Sequence, residues 1–430
     1  MEEVEDKRGL GFNYYVDNSE AVKFVVIGSG PAGLYASLVL ATRGEVTLVE
    51  KAERLGGTCV NFGCVPGKAM IRPLALSYWL SRFNRKVDFD LEELQRLAKE
   101  ASSRVSKGEE YLLEDAGVKV VHGVAKVKSG SVEVNGQTLA ADGVVVATGL
   151  KRPEAVSSDD LPELKGVNKV ALIGGGVGGV EYGWLLKVAG KEVHIYESGP
   201  YLLPRTDRDL SVAVTNHFRK LGVKLHLNVQ ARVEGNSVIT NEGKEEFDAV
   251  IWTFGRKPNV EGIELPLDDR GFIKVDERMY TGVGNVYAAG DVTGSFTAHE
   301  AMRKGVVAGL NLIGIRTTYS GLNVPEVIYT EPQIARFGKT EGECVRVDMA
   351  SLTRGVADKA TEGFVKLCFE EGRLVGALAF SHKAEEIVTL ASAMAGKTIE
   401  EIVSSQMPHP SYVEAVWEGA FRLLMKKLRS

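Results

Sequence analysis

Two cysteines five positions apart are the side chains of this sequence best suited to redox chemistry. Cys59 and Cys64 lie in the segment Gly57-Thr58-Cys59-Val60-Asn61-Phe62-Gly63-Cys64-Val65-Pro66-Gly67-Lys68. On an ideal helix such a spacing puts the Cα atoms about 8–9 Å apart, whereas a disulfide needs less than about 7 Å. A bond between them therefore requires a distorted turn, which Gly63 and Pro66 permit. So short a loop adds little stability, which favours thiol–disulfide exchange over a structural staple; a pair of buried thiols is the alternative.

The other two cysteines, Cys344 and Cys368, stand apart in a later region, and we interpret both as small core residues. Four cysteines in 430 residues is low usage, which is typical of a reducing compartment. In such a compartment the close pair would be catalytic.

Two glycine-rich turns must position this chemistry. Each follows an apolar strand, opens a helix and precedes an acidic residue, 22 or 23 positions after its first glycine, as a dinucleotide-binding fold requires. The predicted members are Val22–Ile27, Gly28, Gly30, Gly33 and Val46–Glu50, then Val170–Ile173, Gly174, Gly176, Gly179 and Glu192–Glu197. The glycines would let a pyrophosphate approach a helix N-terminus, and Glu50 or Glu197 would bind a ribose. Turns that serve only helix–strand packing are the alternative.

Glu197 also bears on the choice of nucleotide. Its carboxylate would repel a 2′-phosphate, and residues 198–201 include no arginine to bind one, so the second unit is predicted to prefer NAD to NADP. Two dinucleotide folds in one chain suggest hydride transfer between two redox cofactors. Flavin is the natural mediator between nicotinamide and thiols.

Composition indicates a globular protein of several domains, with 44% hydrophobic residues. The net charge of -5 gives no electrostatic argument for binding nucleic acid or an anionic membrane. The longest apolar stretch, Val170–Val188, is interrupted by Glu181, Lys187 and glycines, which argues against a membrane span. The acidic N-terminus shows no targeting pattern, so a cytoplasmic location is expected, and the sequence indicates no metal site.

Many motifs, in order from about residue 22 to the end, resemble the class I pyridine nucleotide-disulfide oxidoreductases, and among them the dihydrolipoamide dehydrogenases. They are Gly28–Gly33, the cysteine segment to Lys68, Ala147–Gly149, Gly174–Gly183, Gly255–Asn259, Ala289–Asp291, Ala298–Ala301, Val324–Thr330 and His409–Glu414. Two positions depart from the family pattern. Gly67 replaces the usual serine, and Glu300 replaces the usual lysine.

The resemblance implies the architecture. It is α/β, with two Rossmann-like domains that bind FAD and NAD and a C-terminal α+β dimerisation domain. Apolar alternation in Phe364–Phe369 and Leu374–Phe380 favours an antiparallel sheet there, and amphipathic helices are predicted near 91–116 and over Tyr412–Leu428. The predicted domains are an N-terminal arm (1–21), an FAD-binding domain in two segments (22–150 and 281–321), an NAD-binding domain (151–280) and the dimerisation domain (322–430).

The resemblance also implies roles for matching residues. Cys64 would lie against the flavin and Cys59 would meet the substrate, while Lys68, four residues beyond Cys64, would pair with Glu181 near the flavin. The implied FAD contacts are Gly28, Gly30, Gly33, Glu50, Lys68, Ala125, Thr148, Gly149, Asp291, Ala298 and His299. The implied NAD contacts are Gly174, Gly176, Gly179, Glu181, Glu197, Ala231 and Gly255, and Arg256 would order the domain junction.

His409 and Glu414 allow two interpretations. Ser411 and Glu414 form a helix capping box, which would make Glu414 structural. A carboxylate beside His409, which lies between Pro408 and Pro410, would instead orient the imidazole for acid–base catalysis. In the family, this pair comes from the partner subunit of a homodimer and acts beside the interchange thiol.

The predicted function is FAD-dependent oxidation of a protein-bound dihydrolipoyl dithiol by NAD⁺. The expected partner is the lipoyl domain of a 2-oxoacid dehydrogenase complex or of the glycine cleavage carrier. A reductase of another disulfide or of mercuric ion is an alternative, although the arginines and terminal cysteine pair usual in those enzymes are absent. A different class of alternative is an FAD-bearing assembly subunit with little turnover of its own, against which the intact Cys59, Cys64, His409 and Glu414 argue.

Overall fold

The structure, a computed structural model, describes residues 21–128 and 130–429. The predicted arm at 1–21 lies outside these residues except for its last position. None of the helices in the described ranges has the length and apolar character that a membrane span requires.

The first part of the chain builds a parallel sheet that carries the first glycine turn. The elements up to residue 151 are β1 (Lys23–Ile27), α1 (Pro31–Leu40), β2 (Glu45–Glu50), α2 (Gly57–Asn61), α3 (Cys64–Ser81), α4 (Leu91–Asp115), β3 (Lys119–His122), β4 (Ala125–Lys128), β5 (Ser131–Val134), β6 (Gln137–Leu139), β7 (Gly143–Val146) and β8 (Leu150–Lys151). The sheet order is β3–β2–β1–β7, and a late strand, Val286–Ala288, completes it beyond β7.

This sheet is buried on both faces. Val26 of β1 packs with α1, whereas Val25 packs with the small antiparallel sheet β4–β5–β6, and both are essentially unexposed. A continuous apolar strand is what two covered faces require. The late segment packs closely as well, since a Cβ on Gly305 would lie 2.2 Å from the carbonyl oxygen of Ala32. Residues near 286–312 therefore join the first unit, while the exact domain bounds stay predictions.

The second glycine turn repeats this context, which confirms the internal duplication. The elements from 152 to 280 are a 3₁₀ turn (Ser158–Glu163), β9 (Lys169–Ile173), α5 (Val177–Val188), β10 (Glu192–Glu197), α6 (Arg208–Lys220), β11 (Lys224–Leu227), β12 (Arg232–Glu234), β13 (Ser237–Thr240), β14 (Gly243–Glu246), β15 (Ala249–Trp252) and β16 (Lys257–Pro258). A parallel sheet has the order β11–β10–β9–β15, and β12–β13–β14 form a separate antiparallel sheet.

The C-terminal part is an antiparallel sheet with helices, as predicted. The remaining elements are β17 (Val286–Ala288), a 3₁₀ turn (Asp291–Thr293), α7 (Ala298–Leu312), β18 (Glu326–Ile328), β19 (Gln333–Gly338), β20 (Glu343–Asp348), a 3₁₀ turn (Met349–Ser351), α8 (Thr353–Ala357), β21 (Phe364–Glu370), β22 (Arg373–Ser381), α9 (Ala384–Ala393), α10 (Ile399–Val403) and α11 (Glu414–Arg429). The sheet order is β18–β19–β22–β21–β20, and residues of α9 and α11 share its apolar core.

The interpretation of Cys344 and Cys368 as separate core residues is wrong. They face each other on the paired strands β20 and β21, and they form a disulfide with their Cα atoms 4.1 Å apart. The two positions are 24 residues apart in the sequence. Only the strand register brings them together, so their spacing gave no signal.

The predicted amphipathic helices are present with small differences at their ends. The helix predicted near 91–116 is α4, Leu91–Asp115. The last helix begins at Glu414 instead of Tyr412. Its first carboxylate reaches back to the backbone N–H of Ser411, at 2.7 Å, which is one half of a capping box.

Candidate functional site

Cys59 and Cys64 lie at a break between two helices. Helix α2 ends at Asn61, Gly63 has non-helical φ and ψ of −121° and −102°, and α3 begins at Cys64. This is a distorted turn of the kind that a bond between the two cysteines would require. The predicted disulfide is not formed in the structure, and both residues are free thiols.

The two thiols differ strongly in acidity. The hydrogen bond from the Cys59 thiol, with a smaller contribution from the positive charge of Lys68, lowers the pKa of Cys64 from 9.0 to about 7 against the opposing effect of partial desolvation. Cys64 itself is exposed in the single chain. The same hydrogen bond, together with burial and the negative charge of Cys64, raises the pKa of Cys59. Cys64 is therefore the sulfur of the pair that ionises, with about half of it as thiolate at pH 7, and Cys59 keeps its proton.

Lys68 and Glu181 join the thiol-bearing helix to the second nucleotide unit. Lys68 Nζ donates to Glu181 Oε1 at 2.8 Å and lies 4.0 Å from the ring centroid of Tyr329. The other carboxylate oxygen of Glu181 accepts from the backbone N–H of Tyr329, also at 2.8 Å. The structure thus places Glu181 against Lys68, as the resemblance implied for this pair. Glu181 was also among the NAD contacts that the resemblance implied.

The first glycine turn leaves an open helix N-terminus. Gly28 has φ +100°, and a Cβ on Gly33 would lie 1.8 Å from the Gly28 carbonyl oxygen, so neither position accepts a side chain. A Cβ on Gly30, the residue before α1, would meet nothing within 4 Å. Glu50 is buried beside the turn and accepts from the backbone N–H of Ser29 at 2.9 Å. This open space suits an incoming phosphate group.

The second turn has the same geometry. Gly174 has φ +106°, a Cβ on Gly179 would lie 1.9 Å from the Gly174 carbonyl oxygen, and Gly176 faces open space. The buried Glu197 is held by the backbone N–H groups of Gly175 and Gly199, at 2.8 and 2.7 Å. These contacts keep its carboxylate at the mouth of the turn.

A cavity of about 1010 Å³ opens in front of the second turn. Gly174, Gly176, Glu197 and Ala231 all line it, so the structure brings these predicted NAD contacts together. Gly255, with φ +101°, forms a turn after β15. The next residue, Arg256, pairs with Asp159 of the 3₁₀ turn Ser158–Glu163.

Arg205 also lines this cavity, and the sequence reasoning missed it. It lies eight residues after Glu197, beyond residues 198–201, which contain no arginine. A guanidinium at this position would attract a 2′-phosphate. The predicted preference for NAD therefore rests on the fixed carboxylate of Glu197.

Most of the other predicted FAD contacts gather at one edge of the first sheet. Thr148 and Gly149 follow the carboxyl end of β7, and Asp291 follows that of β17, where Gly28 and Glu50 also end their strands. Ligands of open parallel sheets bind at this edge. Ala125 starts β4, while Ala298 and His299 open helix α7. Two open glycine turns, each with a buried glutamate, fit two dinucleotides.

Two half-buried carboxyl groups have raised pKa values. Burial, with the negative charge of Glu300, raises the pKa of Asp291 to about 6. Burial also raises the pKa of Glu109 to about 7. One carboxylate oxygen of Glu109 lies 2.9 Å from where a Cβ on Gly56 would be, just before the cysteine helix. Glu109 belongs to the long amphipathic helix α4, so its sequence context gave no sign of this position.

The two departures from the family pattern are accommodated locally. A Cβ on Gly67 would make only ordinary contacts, 3.7 Å from the Tyr182 hydroxyl, so the site has room for the usual serine. Glu300 accepts from the Tyr319 hydroxyl at 2.7 Å and pairs with the buried Lys304 at 3.4 Å. Lys304 thus supplies a cation close to the position where the family lysine would be.

His409 and Glu414 form a close pair. The Nδ1 atom of His409 lies 2.6 Å from Glu414 Oε1, while Glu414 Oε2 accepts from Ser411 N–H. Glu414 therefore accepts a hydrogen bond from the backbone just before helix α11 and orients the imidazole of His409 at the same time. The His409 side chain is 65% exposed in the single chain, so a second protomer can reach it.

Comparison with known proteins shows matches over nearly the whole chain. Residues 22–305 match the pyridine nucleotide-disulphide oxidoreductases, and residues 324–420 match the dimerisation domain of the same enzymes. The chain is 32% identical to the dihydrolipoyl dehydrogenase of Chlorobaculum parvum, over 94% of this chain and 97% of the relative. It is 31% identical to the dihydrolipoyl dehydrogenase of Bacillus subtilis, over 92% of this chain and 95% of the relative.

Solved structures share the fold. LpdA from Mycobacterium tuberculosis matches with a TM-score of 0.86 at 24% identity, over 94% of this chain and 99% of that chain. The HOCl-induced flavoprotein disulfide reductase RclA from Escherichia coli matches with a TM-score of 0.82 at 23% identity, over 93% and 99%.

Proposed function

The chain belongs to the pyridine nucleotide-disulphide oxidoreductases, and we propose that it oxidises a protein-bound dihydrolipoyl dithiol with NAD⁺ as the acceptor. It is an oxidoreductase of sulfur groups with FAD and a pyridine nucleotide as cofactors, and it carries the dimerisation domain of its family. The relatives named dihydrolipoyl dehydrogenase support the choice of substrate. We propose the lipoyl domain of a 2-oxoacid dehydrogenase complex, or a glycine cleavage carrier, as the partner.

The asymmetric acidity of the cysteine pair carries the proposal. A dithiol oxidant needs one sulfur that substrate attacks and another that leaves easily as thiolate. Cys64, with its pKa lowered to about 7 beside Lys68, suits the leaving sulfur. Cys59, whose pKa is raised, suits the sulfur that is attacked and that finally takes up a proton.

The chain's own residues account for the sulfur chemistry. In the oxidised state Cys59 and Cys64 share a disulfide. His409 accepts the proton of the first substrate thiol, the resulting thiolate attacks Cys59 Sγ, and Cys64 leaves as thiolate. The second substrate thiolate then attacks the substrate sulfur of the mixed disulfide, so that the lipoyl disulfide forms and Cys59 is released. Of the two thiol protons, one ends on Cys59 and the other leaves to solvent, and two electrons remain on the cysteine pair.

Bound FAD supplies the link between thiol and hydride chemistry, because thiols give electrons at sulfur whereas NAD⁺ accepts a hydride. Gly28, Gly30 and Glu50 would hold one dinucleotide, and Gly174, Gly176 and Glu197 the other. Lys68, fixed by Glu181, holds a positive charge four residues from Cys64, which favours the thiolate.

We propose that His409 acts on the cysteine pair of the other protomer. The Glu414 carboxylate fixes the imidazole at Nδ1, which is the arrangement of a carboxylate-oriented base. The exposure of His409 in a single chain, together with the dimerisation domain that carries it, supports a site completed across the dimer.

Steady-state turnover tests the function. For the FAD-loaded dimer we expect dihydrolipoamide with NAD⁺ to give a higher kcat/KM than glutathione disulfide or Hg²⁺ with NADPH. We expect NAD⁺ to be preferred over NADP⁺ by about tenfold or more, which corresponds to about 1.4 kcal/mol. Faster turnover with glutathione disulfide or Hg²⁺ would overturn the assignment. Negligible dihydrolipoamide turnover by the isolated dimer would instead favour an assembly role.

Matched variants tie the activity to the site. Cys64→Ser should abolish dihydrolipoamide oxidation and the long-wavelength absorption that dithiol or NADH induces in the yellow protein. His409→Gln should slow turnover by about 10²- to 10⁴-fold. His122→Gln is its control, because this histidine is exposed and the hydrogen bond found for its imidazole in the described chain is to the carbonyl oxygen of Ala52. Equal losses in the two histidine variants would contradict a catalytic role for His409.

A further inference from the structure

We propose that His194, His226 and Glu245 form a binding site for a divalent transition metal ion, separate from the thiol centre. His194 lies on β10, His226 on β11 and Glu245 on β14. His194 Nδ1 lies 3.1 Å from His226 Nε2 and 3.4 Å from Glu245 Oε2. One ligand atom from each residue lies within 4.8 Å of the others. Three separate strands thus bring two imidazoles and a carboxylate to one point.

Outer carboxylates orient both imidazoles toward this point. Glu192 Oε1 lies 3.0 Å from His194 Nε2, and Glu242 Oε2 lies 3.3 Å from His226 Nδ1. A carboxylate accepts a hydrogen bond, so each pairing places the ring proton on the outer nitrogen. The inner nitrogens, which face each other and Glu245, then both present lone pairs. Metal-binding histidines commonly have this carboxylate partner on the far side of the ring.

Two facing lone pairs beside a carboxylate repel one another unless a positive charge lies among them. The ring planes differ by 15°, with centroids 5.3 Å apart, and His194 Nδ1 approaches His226 Nε2 to 3.1 Å. Lys169 Nζ pairs with the other oxygen of Glu245, at 2.9 Å, and not with the oxygen that lies near His194. A shared proton or a metal ion can supply the missing charge.

The charge and access of the cluster favour a metal ion. Glu192, Glu242 and Glu245 outnumber the two nearby lysines, Lys169 and Lys224, so the cluster with neutral imidazoles has a net negative charge. His194 is buried, which fixes one ligand. The His226 and Glu245 side chains are 21% and 35% exposed, which gives an ion a route from solvent. Imidazole with carboxylate is a ligand set that zinc and its neighbours accept.

The distances suit such an ion. A tetrahedral Zn²⁺ holds imidazole nitrogens at about 2.0–2.1 Å, which puts ligand atoms about 3.3–3.4 Å from each other. The separations of 3.1 and 3.4 Å are close to this value. The ion would lie beside the line joining the two nitrogens, and the partly exposed His226 and Glu245 can turn toward it. Water would complete the coordination.

The cluster shares strand β10 with Glu197, the carboxylate beside the second glycine turn. The Tyr196 ring stacks on His226, with centroids 4.2 Å apart, and its hydroxyl donates to Glu245 Oε2 at 3.2 Å. Tyr196 directly precedes Glu197 and lines the nucleotide cavity. Metal binding is therefore expected to stabilise β10 and its neighbours, and it raises the unfolding temperature because the ion binds the folded state.

Zn²⁺ titration of the untagged, chelator-treated, FAD-loaded dimer tests the proposal, with Cys59 and Cys64 kept oxidised so that their thiols do not bind metal. We expect one ion per chain by calorimetry and a higher unfolding temperature. Glu245→Gln and His226→Gln should each weaken binding by at least about tenfold, and Glu242→Gln by about tenfold through the outer shell. Glu246→Gln, at the next and exposed position of β14, is the matched control and should bind normally.

Co²⁺ provides a second readout that does not depend on activity. Its visible absorption in the wild-type dimer should have the intensity of a four-coordinate ion and should disappear in Glu245→Gln. Absence of stoichiometric Zn²⁺ binding would overturn the proposal and leave a proton shared between His194 and His226. Zn²⁺ binding that persists unchanged in both His226→Gln and Glu245→Gln would also overturn it.

Discussion

Replacing Cys59 by serine and, separately, by alanine isolates the hydrogen bond that makes Cys64 acidic. This bond is the largest cause lowering the pKa of Cys64 from 9.0 to about 7. Serine retains an O–H donor at the position, whereas alanine has none. We expect the pKa of Cys64 to stay low in Cys59→Ser and to rise toward its ordinary value in Cys59→Ala. Lys68→Met should also raise it, but by less, because the lysine contributes less than the hydrogen bond.

The size of the effect follows from the thiolate fraction. At pH 7 a thiol with a pKa of about 7 is about half ionised, whereas one with a pKa of 9.0 is about 1% ionised. The more basic thiolate is intrinsically more nucleophilic, by about eightfold for this pKa difference, so the alanine variant should be alkylated about sixfold more slowly at pH 7.

The assay is the pH profile of iodoacetamide alkylation of Cys64 in FAD-loaded protein. Cys59→Ser and Cys59→Ala each present a single reactive thiol, because Cys344 and Cys368 are joined. The midpoint of each profile gives the pKa directly. Equal midpoints for Cys59→Ser and Cys59→Ala would refute the hydrogen bond as the cause of the acidity.

Three further predictions concern stability and oxidation state. Gly67→Ala should stabilise the protein by about 0.5–1 kcal/mol, because the added methyl has room in a helix; Gly179→Ala, whose Cβ would lie 1.9 Å from a carbonyl oxygen, should destabilise it in the same denaturant unfolding assay. In FAD-free protein the raised pKa of Asp291 means that the folded state favours the protonated carboxyl group. The free energy of unfolding should therefore fall by about 3 kcal/mol as the pH rises from about 4 to about 6. Asp291→Asn should remove that part of the pH dependence of unfolding, and an unchanged profile would contradict burial as the cause. Protein reduced with NADH and then denatured should show two titratable thiols, whereas four would mean that Cys344 and Cys368 are not bonded.

The parts that local sequence determines were predictable. Each glycine turn is set by a strand, a tight turn and a helix that are adjacent in the chain, so Gly28, Gly33, Gly174 and Gly179 were found in the positions where a side chain cannot fit. The distorted turn at Gly63 is also local, and it was predicted from the condition that the two cysteines can bond. Family resemblance, and not spacing, indicated Lys68 with Glu181, because these residues are 113 positions apart.

Features that depend on strand register were not predictable from one sequence. Cys344 and Cys368 meet only because β20 and β21 pair with that alignment. The cluster of His194, His226 and Glu245 draws one residue from each of three strands in two sheets, with no local spacing typical of a metal site. The sequence interpretation accordingly indicated no metal site.

Mixed dimers test most directly whether the cysteine pair of one protomer works with His409 of the partner subunit. Chains carrying Cys59→Ser and chains carrying His409→Gln can be co-expressed with different tags, and the heterodimer purified through both. Each homodimer should be nearly inactive toward dihydrolipoamide and NAD⁺. The heterodimer contains one complete site if the two residues come from different chains, so it should recover about half of the wild-type turnover. A heterodimer as inactive as both homodimers would contradict a catalytic site shared between protomers.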